Sequence, residues 1–138
     1  RQLFERKDKF EIYKNLQIEI TDHLISLSIN QTEIALFDRL LKSDIHKLDE
    51  NQIHSSGYVL HTIEASIWCL LTTDNYKDAV LKAVNLGEDT DTTGAVTGGL
   101  AGILYGLENI PPKWITQIAR KDDIENLAER LAKNIIIP

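Results

Sequence analysis

Gly87-Glu-Asp-Thr-Asp-Thr-Thr-Gly-Ala-Val-Thr-Gly-Gly-Leu-Ala-Gly-Ile-Leu-Tyr-Gly106 holds six of the seven glycines of the 138-residue chain. Gly94, Gly98, Gly102 and Gly106 recur every fourth residue, with Ala95 and Gly99 beside them. In a helix that interval aligns one face, so the pattern predicts a helix carrying a bare stripe. Glycine inside a helix costs about 1 kcal/mol relative to Ala, so several together need a compensating contact. Close approach of a neighbouring helix supplies one and predicts an all-α helical bundle with this glycine-rich helix at its centre. A membrane helix with a Gly-x-x-x-Gly face is the rival. The apolar run from Thr92 to Leu107 is 16 residues, against about 20 needed to span, and acidic residues flank both ends. No membrane partner is expected.

The residues that open this helix carry the chemistry. Glu88 to Thr93 places three carboxylates and three hydroxyls in six positions. Carboxylates packed this closely repel one another unless a cation joins them, and an all-oxygen set suits Mg²⁺, Mn²⁺ or Ca²⁺ rather than zinc. Asp89 and Asp91 can converge in the last loop residues and first turn, and Thr92 can add its hydroxyl. Helix capping is the competing reading: Asp91 would accept first-turn N–H bonds, and Asp89 would favour the positive helix end. An EF-hand is excluded, because the twelfth position counted from Asp89 is Leu100 and not Glu.

Outward from this segment the chain continues to read as helices. Val59 to Thr73 places Val59, Ile63, Ile67, Leu70 and Leu71 on one face. Asp74 is placed to cap a helix holding Tyr76, Ala79, Val80, Ala83 and Val84, which Gly87 ends. Asp91 opens the glycine-rich helix, Gly106 ends it near Tyr105, and Pro111-Pro112 turns the chain into a short helix around Trp114. A last helix from about Asp123 to Asn134 shows Ile124, Leu127, Ala128 and Leu131 on one side. Towards the N-terminus, Asn30 with Glu33 reads as a capping box ahead of Ile34, Phe37, Leu40 and Leu41. Lys42 to Ser56 is polar and reads as a loop. Residues 1–29 carry both a helical spacing (Ile12, Leu16, Ile20) and a strand-like alternation (Ile25, Leu27, Ile29), and helix is the reading adopted. No convincing β-hairpin signal is present.

Composition bounds the function. Hydrophobic residues are 43% and charged residues 26% of the chain, an ordinary globular mixture. The net charge is −6 with no basic run, which argues against nucleic acid as a partner. The one cysteine, Cys69, lies in Ile67-Trp-Cys-Leu-Leu71 and reads as a buried small hydrophobe in a reducing, cytoplasmic setting. Arg1-Gln-Leu-Phe-Glu-Arg-Lys7 carries charge throughout and does not read as a signal peptide. The chain has no methionine and begins at Arg1, which suggests a piece of a longer polypeptide. His23, His46, His54 and His61 lack metal spacing and read as surface or core histidines. Trp68 and Trp114 read as packing residues, Tyr58 as an aromatic of either the core or a site, and Glu64 as a solvated helix residue.

Three blocks together resemble one family. Ser55-Ser-Gly-Tyr-Val-Leu-His-Thr-Ile-Glu-Ala-Ser-Ile-Trp68 is similar to the Ser-x-Gly-Tyr-Val-x-x-Thr-Leu-Glu-Ala-Ala-x-Trp signature of ADP-ribosylglycohydrolases of the dinitrogenase reductase-activating type. Ala83 to Gly102 resembles that family's second metal motif, and Ile110-Pro-Pro-Lys-Trp114 its Ile-Pro-x-x-Trp. The blocks occur in the family's order over roughly residues 55–114. The resemblance implies an all-helical domain with two magnesium ions at its centre, Mn²⁺ being an alternative. It implies that Asp89, Asp91 and Thr92 are metal ligands, Asp89 and Asp91 with catalytic roles, and that Gly57 and Tyr58 contribute to an ADP-ribose site. The implied activity is hydrolysis of the glycosidic bond between ADP-ribose and an acceptor, with an ADP-ribosylated protein as partner.

Two small departures are Glu88, where a second Gly is frequent, and His61, where Asp is frequent. A larger departure is the absence of the family's Thr-Asp-Asp and Gly-Asp-x-x-Gly elements. Residues 1–138 are therefore expected to be the C-terminal part of a single domain whose N-terminal part is missing. As a fragment the chain is expected to be inactive. A non-catalytic homologue that serves a structural or ligand-binding role, and a helical interaction domain whose acidic loop only caps, are the alternatives.

Overall fold

A computed structural model of the chain describes residues 8–135; Arg1 to Lys7 and residues 136–138, including the charged opening heptapeptide, lie outside them. Among the described residues the architecture is all-α with no strand, as expected. The helices are α1 (Lys9–Ser26), α2 (Gln31–Ala35), α3 (Asp38–Lys42), α4 (Val59–Leu71), α5 (Tyr76–Asn85), α6 (Thr90–Tyr105), α7 (Pro112–Gln117) and α8 (Lys121–Asn134).

The glycine stripe does what its spacing requires. A Cβ added at Gly94 would lie 2.8 Å from Val84 Cγ1, one at Gly98 3.3 Å from Tyr76 Oη, and one at Gly102 3.9 Å from Tyr76 Cε2. The bare face of α6 is thus pressed onto α5, with α4 packed against both. Small residues make the crossing possible: Ala79, Ala83 and Ala101 are fully buried. The opposite face of α6 is not covered, since Ala95, Val96, Gly99 and Ile103 are exposed. The helix is therefore packed on one side rather than enclosed.

A larger core forms where Tyr13, Leu40, Ile45, Ile53, Trp68, Cys69 and Leu71 meet. Each large apolar side chain buried there contributes about 1.5–3 kcal/mol. Trp68 and Cys69 are buried, as the sequence indicates. Asp8 caps α1 by accepting from the N–H groups of Phe10 and Glu11 at 2.9 and 3.1 Å. Tyr13 Oη and Gln17 Nε2 both donate to the carbonyl of Leu40, at 2.6 and 3.0 Å. They thereby satisfy a backbone acceptor at the end of α3 that no helical N–H can reach.

Five local expectations change. The helix beginning at Asn30 breaks at Leu36 and Phe37 into α2 and α3, and the Asn30 side chain accepts from Thr32 rather than closing a box with Glu33. The segment 42–56 is not a free loop: short 3₁₀ turns at Ile45–Lys47 and Glu50–Gln52 bring Ile45 and Ile53 into the core, and Trp68 Nε1 donates to Leu48 O at 3.0 Å. Asn75, not Asp74, caps α5, because Asp74 pairs with Lys9 at 2.8 Å. On α4, Leu70 and Leu71 are buried and Ile63 and Ile67 pack on the core as expected, but burial extends around the helix to Thr62, Glu64, Ala65, Ser66, Trp68 and Cys69, and Val59 is 60% exposed. Finally, α8 starts at Lys121, and its apolar residues Ile124, Leu127 and Leu131 are exposed rather than packed.

Candidate functional site

Only four residues separate α5 from α6, and the backbone there is tightly turned. Gly87 follows α5 at φ +87°, in the left-handed region that glycine enters without a Cβ penalty. Glu88 follows at φ +55°, also left-handed, with its side chain exposed to solvent. That backbone accounts for the frequency of glycine at this position in sequences of similar pattern. Asp89 then caps α6: its Oδ1 accepts from the Thr92 N–H at 3.4 Å. The cap is Asp89 and not Asp91, and the helix opens at Thr90.

The Ser55–Tyr58 segment is fastened to this turn although it lies some thirty residues earlier. Ser55 Oγ donates to Gly87 O at 2.8 Å, and Asp89 N donates to Ser55 O at 3.1 Å. The clamp brings Gly57 against the second carboxylate oxygen of Asp89, where an added Cβ would lie 3.0 Å from Oδ2. Tyr58 begins α4 and is 49% exposed, its ring meeting His61 edge-on at 5.2 Å. Gly57, Tyr58, Asp89, Asp91 and Thr92 are thus gathered at one end of the molecule.

The electrostatics favour a charged Asp89 carboxylate. A hydrogen bond from the Thr92 side chain, a second contact with the Asp91 carboxyl and the Thr92 backbone N–H hold the Asp89 carboxyl below its ordinary range. Asp91 and Thr92 are exposed and Asp89 is half-buried, so their oxygens are open to a ligand. The positive end of α6 disfavours a cation by itself; two carboxylates there reverse the sign of the local field. Two carboxylates and a hydroxyl match a hard divalent cation in donor type. They are too few to complete its shell: among the described residues no cluster of three or more His, Cys, Asp or Glu could hold a metal.

The sequence reading misplaced one nearby group. Glu64 is not solvated: it is buried on α4, where Arg39 Nε donates to its Oε2 at 3.0 Å. His61, read as a surface or core histidine, is half-buried, its Nδ1 2.7 Å from Ser56 Oγ and its ring 5.0 Å from that of His54. A serine five residues ahead of a histidine at a helix start was the available signal. Beneath the site, Thr93 and Thr97 are fully buried between α6 and α4.

Comparison with known proteins gives the site its context. The family profile described as ADP-ribosylglycohydrolase matches residues 2–136. An ADP-ribosylarginine hydrolase, Tri1, of Serratia proteamaculans is 49% identical over 81 residues, covering 59% of this chain and 22% of that protein. The ADP-ribosyl-[dinitrogen reductase] glycohydrolase of Rhodospirillum rubrum is 38% identical over 71 residues, 51% of this chain and 24% of that protein. The mouse ADP-ribosylhydrolase ARH3 is 24% identical over 105 residues, 67% of this chain and 28% of that protein. The chain therefore aligns with only 22–28% of the length of these curated relatives.

Proposed function

The chain belongs to the ADP-ribosylglycohydrolase family, and from that premise we propose that it forms the C-terminal part of a metal-dependent hydrolase that releases ADP-ribose from an acceptor on a protein. The observation that carries the reading is the Ser55 clamp, which holds Gly57 of the first motif against Asp89 of the second. Two motifs some thirty residues apart have no capping reason to meet.

In this proposal Asp89, Asp91 and Thr92 hold part of a site for two Mg²⁺ ions, with Mn²⁺ as an alternative; the remaining ligands come from the part of the domain upstream. Such cations supply Lewis acidity and a water of lowered pKa. The residues of this chain do the rest of the positioning. Hydrogen bonds from Thr92 favour the charged form of Asp89, so it can orient a bound group or accept a proton. Gly57 presents no side chain, which lets a sugar approach the carboxylates closely. Tyr58 offers an exposed aromatic face beside it. The bond would break through an oxocarbenium-like state, with water adding to the anomeric carbon. A cytoplasmic location accords with an intracellular de-ADP-ribosylation role and is proposed on that ground.

The test compares the full-length protein with this 138-residue chain on an ADP-ribosylated arginine peptide, with Mg²⁺ and with a chelator. Release by the full-length protein that the chelator stops, and none by the chain alone, is expected. Tight ADP-ribose binding without release would instead identify a ligand-binding homologue. Release by the chain alone would overturn the view that its ligand set is incomplete.

A further inference from the structure

The segment Ser55–Tyr58 is tied at both ends, with Thr62 of α4 also bonded to the carbonyls of Ser56 and Tyr58. Ser55 ties one end to the turn before α6. The other end is tied to α4 through Ser56, whose Oγ lies 2.7 Å from His61 Nδ1 and also receives the Tyr58 N–H at 3.4 Å. A serine oxygen that accepts from a backbone N–H has its own proton to give, and an imidazole nitrogen without hydrogen is a suitable acceptor. The His61 ring is itself fixed, with Tyr58 edge-on at 5.2 Å on one side and His54 tilted at 5.0 Å on the other. The three rings line a pocket of about 240 Å³ together with the ion-paired Arg39 and Glu64.

We propose that His61 is a positioning residue for substrate: through its Nδ1 bond to Ser56 it sets the conformation of Gly57 and Tyr58, and hence the affinity for ADP-ribose. The inference rests on the function proposed above. Its physical content is that Gly57, exposed and lying against Asp89, has no side chain with which to hold itself in place. It is located by its two neighbours. With Ser56 released, Ser55 still holds the acidic turn, so Asp89 keeps its place, while Tyr58 loses the bond from its N–H to Ser56 and is left held by its carbonyl, which accepts the Thr62 N–H. A loosened binding segment weakens uptake of substrate more than it slows the chemistry once substrate is seated.

The experiment uses the full-length protein, with ADP-ribose binding measured by calorimetry in Mg²⁺ and steady-state hydrolysis of an ADP-ribosylated arginine peptide. His61→Leu and Ser56→Ala should each weaken binding and raise KM by about tenfold while kcat stays within about twofold. Melting temperatures identify any variant that fails to fold, and Ser56→Ala removes only one oxygen. Two further variants separate the hydrogen bond from the ring. His61→Asn places an amide where Nδ1 stood and should restore most of the affinity; His61→Phe keeps the ring contacts and should not. Rescue by Phe and not Asn would overturn the proposal in favour of ring packing, as would a His61→Leu protein that binds like wild type, or failure of Asn to rescue at all. A wild-type protein that takes up no ADP-ribose would overturn the functional reading and this inference with it. Binding by wild type with unchanged His61 variants would remove the inference alone.

Discussion

At Asp89 the two carboxylate oxygens have different surroundings: Oδ1 caps α6, and Oδ2 faces the bare Cα of Gly57. The capping and metal-binding readings of the acidic run are therefore compatible at this residue, and only Asp91 separates them. Gly57→Ala tests the close approach. Its new Cβ would stand 3.0 Å from Asp89 Oδ2 and push the carboxylate aside. In the full-length protein kcat/KM for ADP-ribose release should fall about tenfold, since small displacements of positioned groups are costly. The melting temperature should change little, because Gly57 is exposed. At this scale the sequence was informative about identities and less so about environments. The run from Glu88 to Thr93 announced a cluster of oxygen donors. That Asp89 rather than Asp91 caps depends on Glu88 turning left-handed, which no side-chain pattern indicates. Likewise Glu64 is buried because Arg39, from a different helix, reaches it.

Among the elements, α4, α5 and α6 were legible because their signals are local: apolar residues at helical spacing, Gly87 and Gly106 at the ends, and a glycine stripe that demands a neighbour. The segment 31–56 was not, because Ile34, Leu40, Ile45 and Ile53 follow no single period and are held by contacts with α1 and α4. The helical character of α8 was legible, but its sequence does not say what covers its apolar side. The stripe itself makes a quantitative prediction. Gly99 has nothing within 4 Å of an added Cβ, whereas Gly94 would meet Val84 Cγ1 at 2.8 Å. In the 138-residue chain, Gly99→Ala should raise stability by about 1 kcal/mol through helix propensity alone. Gly94→Ala should lose that gain to the clash and fall at least about 1 kcal/mol below Gly99→Ala in denaturant melts. Equal stabilisation by both would mean that α5 does not lie against the stripe.

For the molecule as a whole, the larger core depends on Tyr13, whose hydroxyl joins α1 to the end of α3. Burial pushes its pKa up to about 12, opposed by its hydrogen bonds. An unfolded tyrosine titrates near 10. The folded state thus favours the neutral phenol: the associated stability is complete below about pH 10 and is lost as pH rises towards 12. Tyr13 should contribute on the order of 2 kcal/mol to the decline in denaturant stability over that window, and Tyr13→Phe should remove that share; the Cys69 thiol, which burial also pushes up to about 12, contributes over the same range.

The same scale explains the uncovered side of α6. Val96 and Ile103 are exposed along the helix that Asp91 and Thr92 open, and the chain aligns with only 22–28% of the length of its relatives. Under the function proposed above, the two carboxylates and one hydroxyl that open α6 belong to a metal site that the rest of the domain completes, and the bare side of the helix is where that part would pack. Among the described residues no helix is long and apolar enough to cross a membrane.

The most direct test of the central claim is the rate of ADP-ribose release by the full-length Asp91→Ala protein in saturating Mg²⁺. Asp91 is exposed and does not cap α6, so its loss costs the fold no more than the helix-end charge effect of about 0.3–1 kcal/mol. If Asp91 is a metal ligand, release collapses and the melting-temperature rise that Mg²⁺ gives the wild type shrinks with it, while the metal-free protein melts as before. Undiminished release by the Asp91→Ala protein would contradict the assignment of this acidic turn to catalysis.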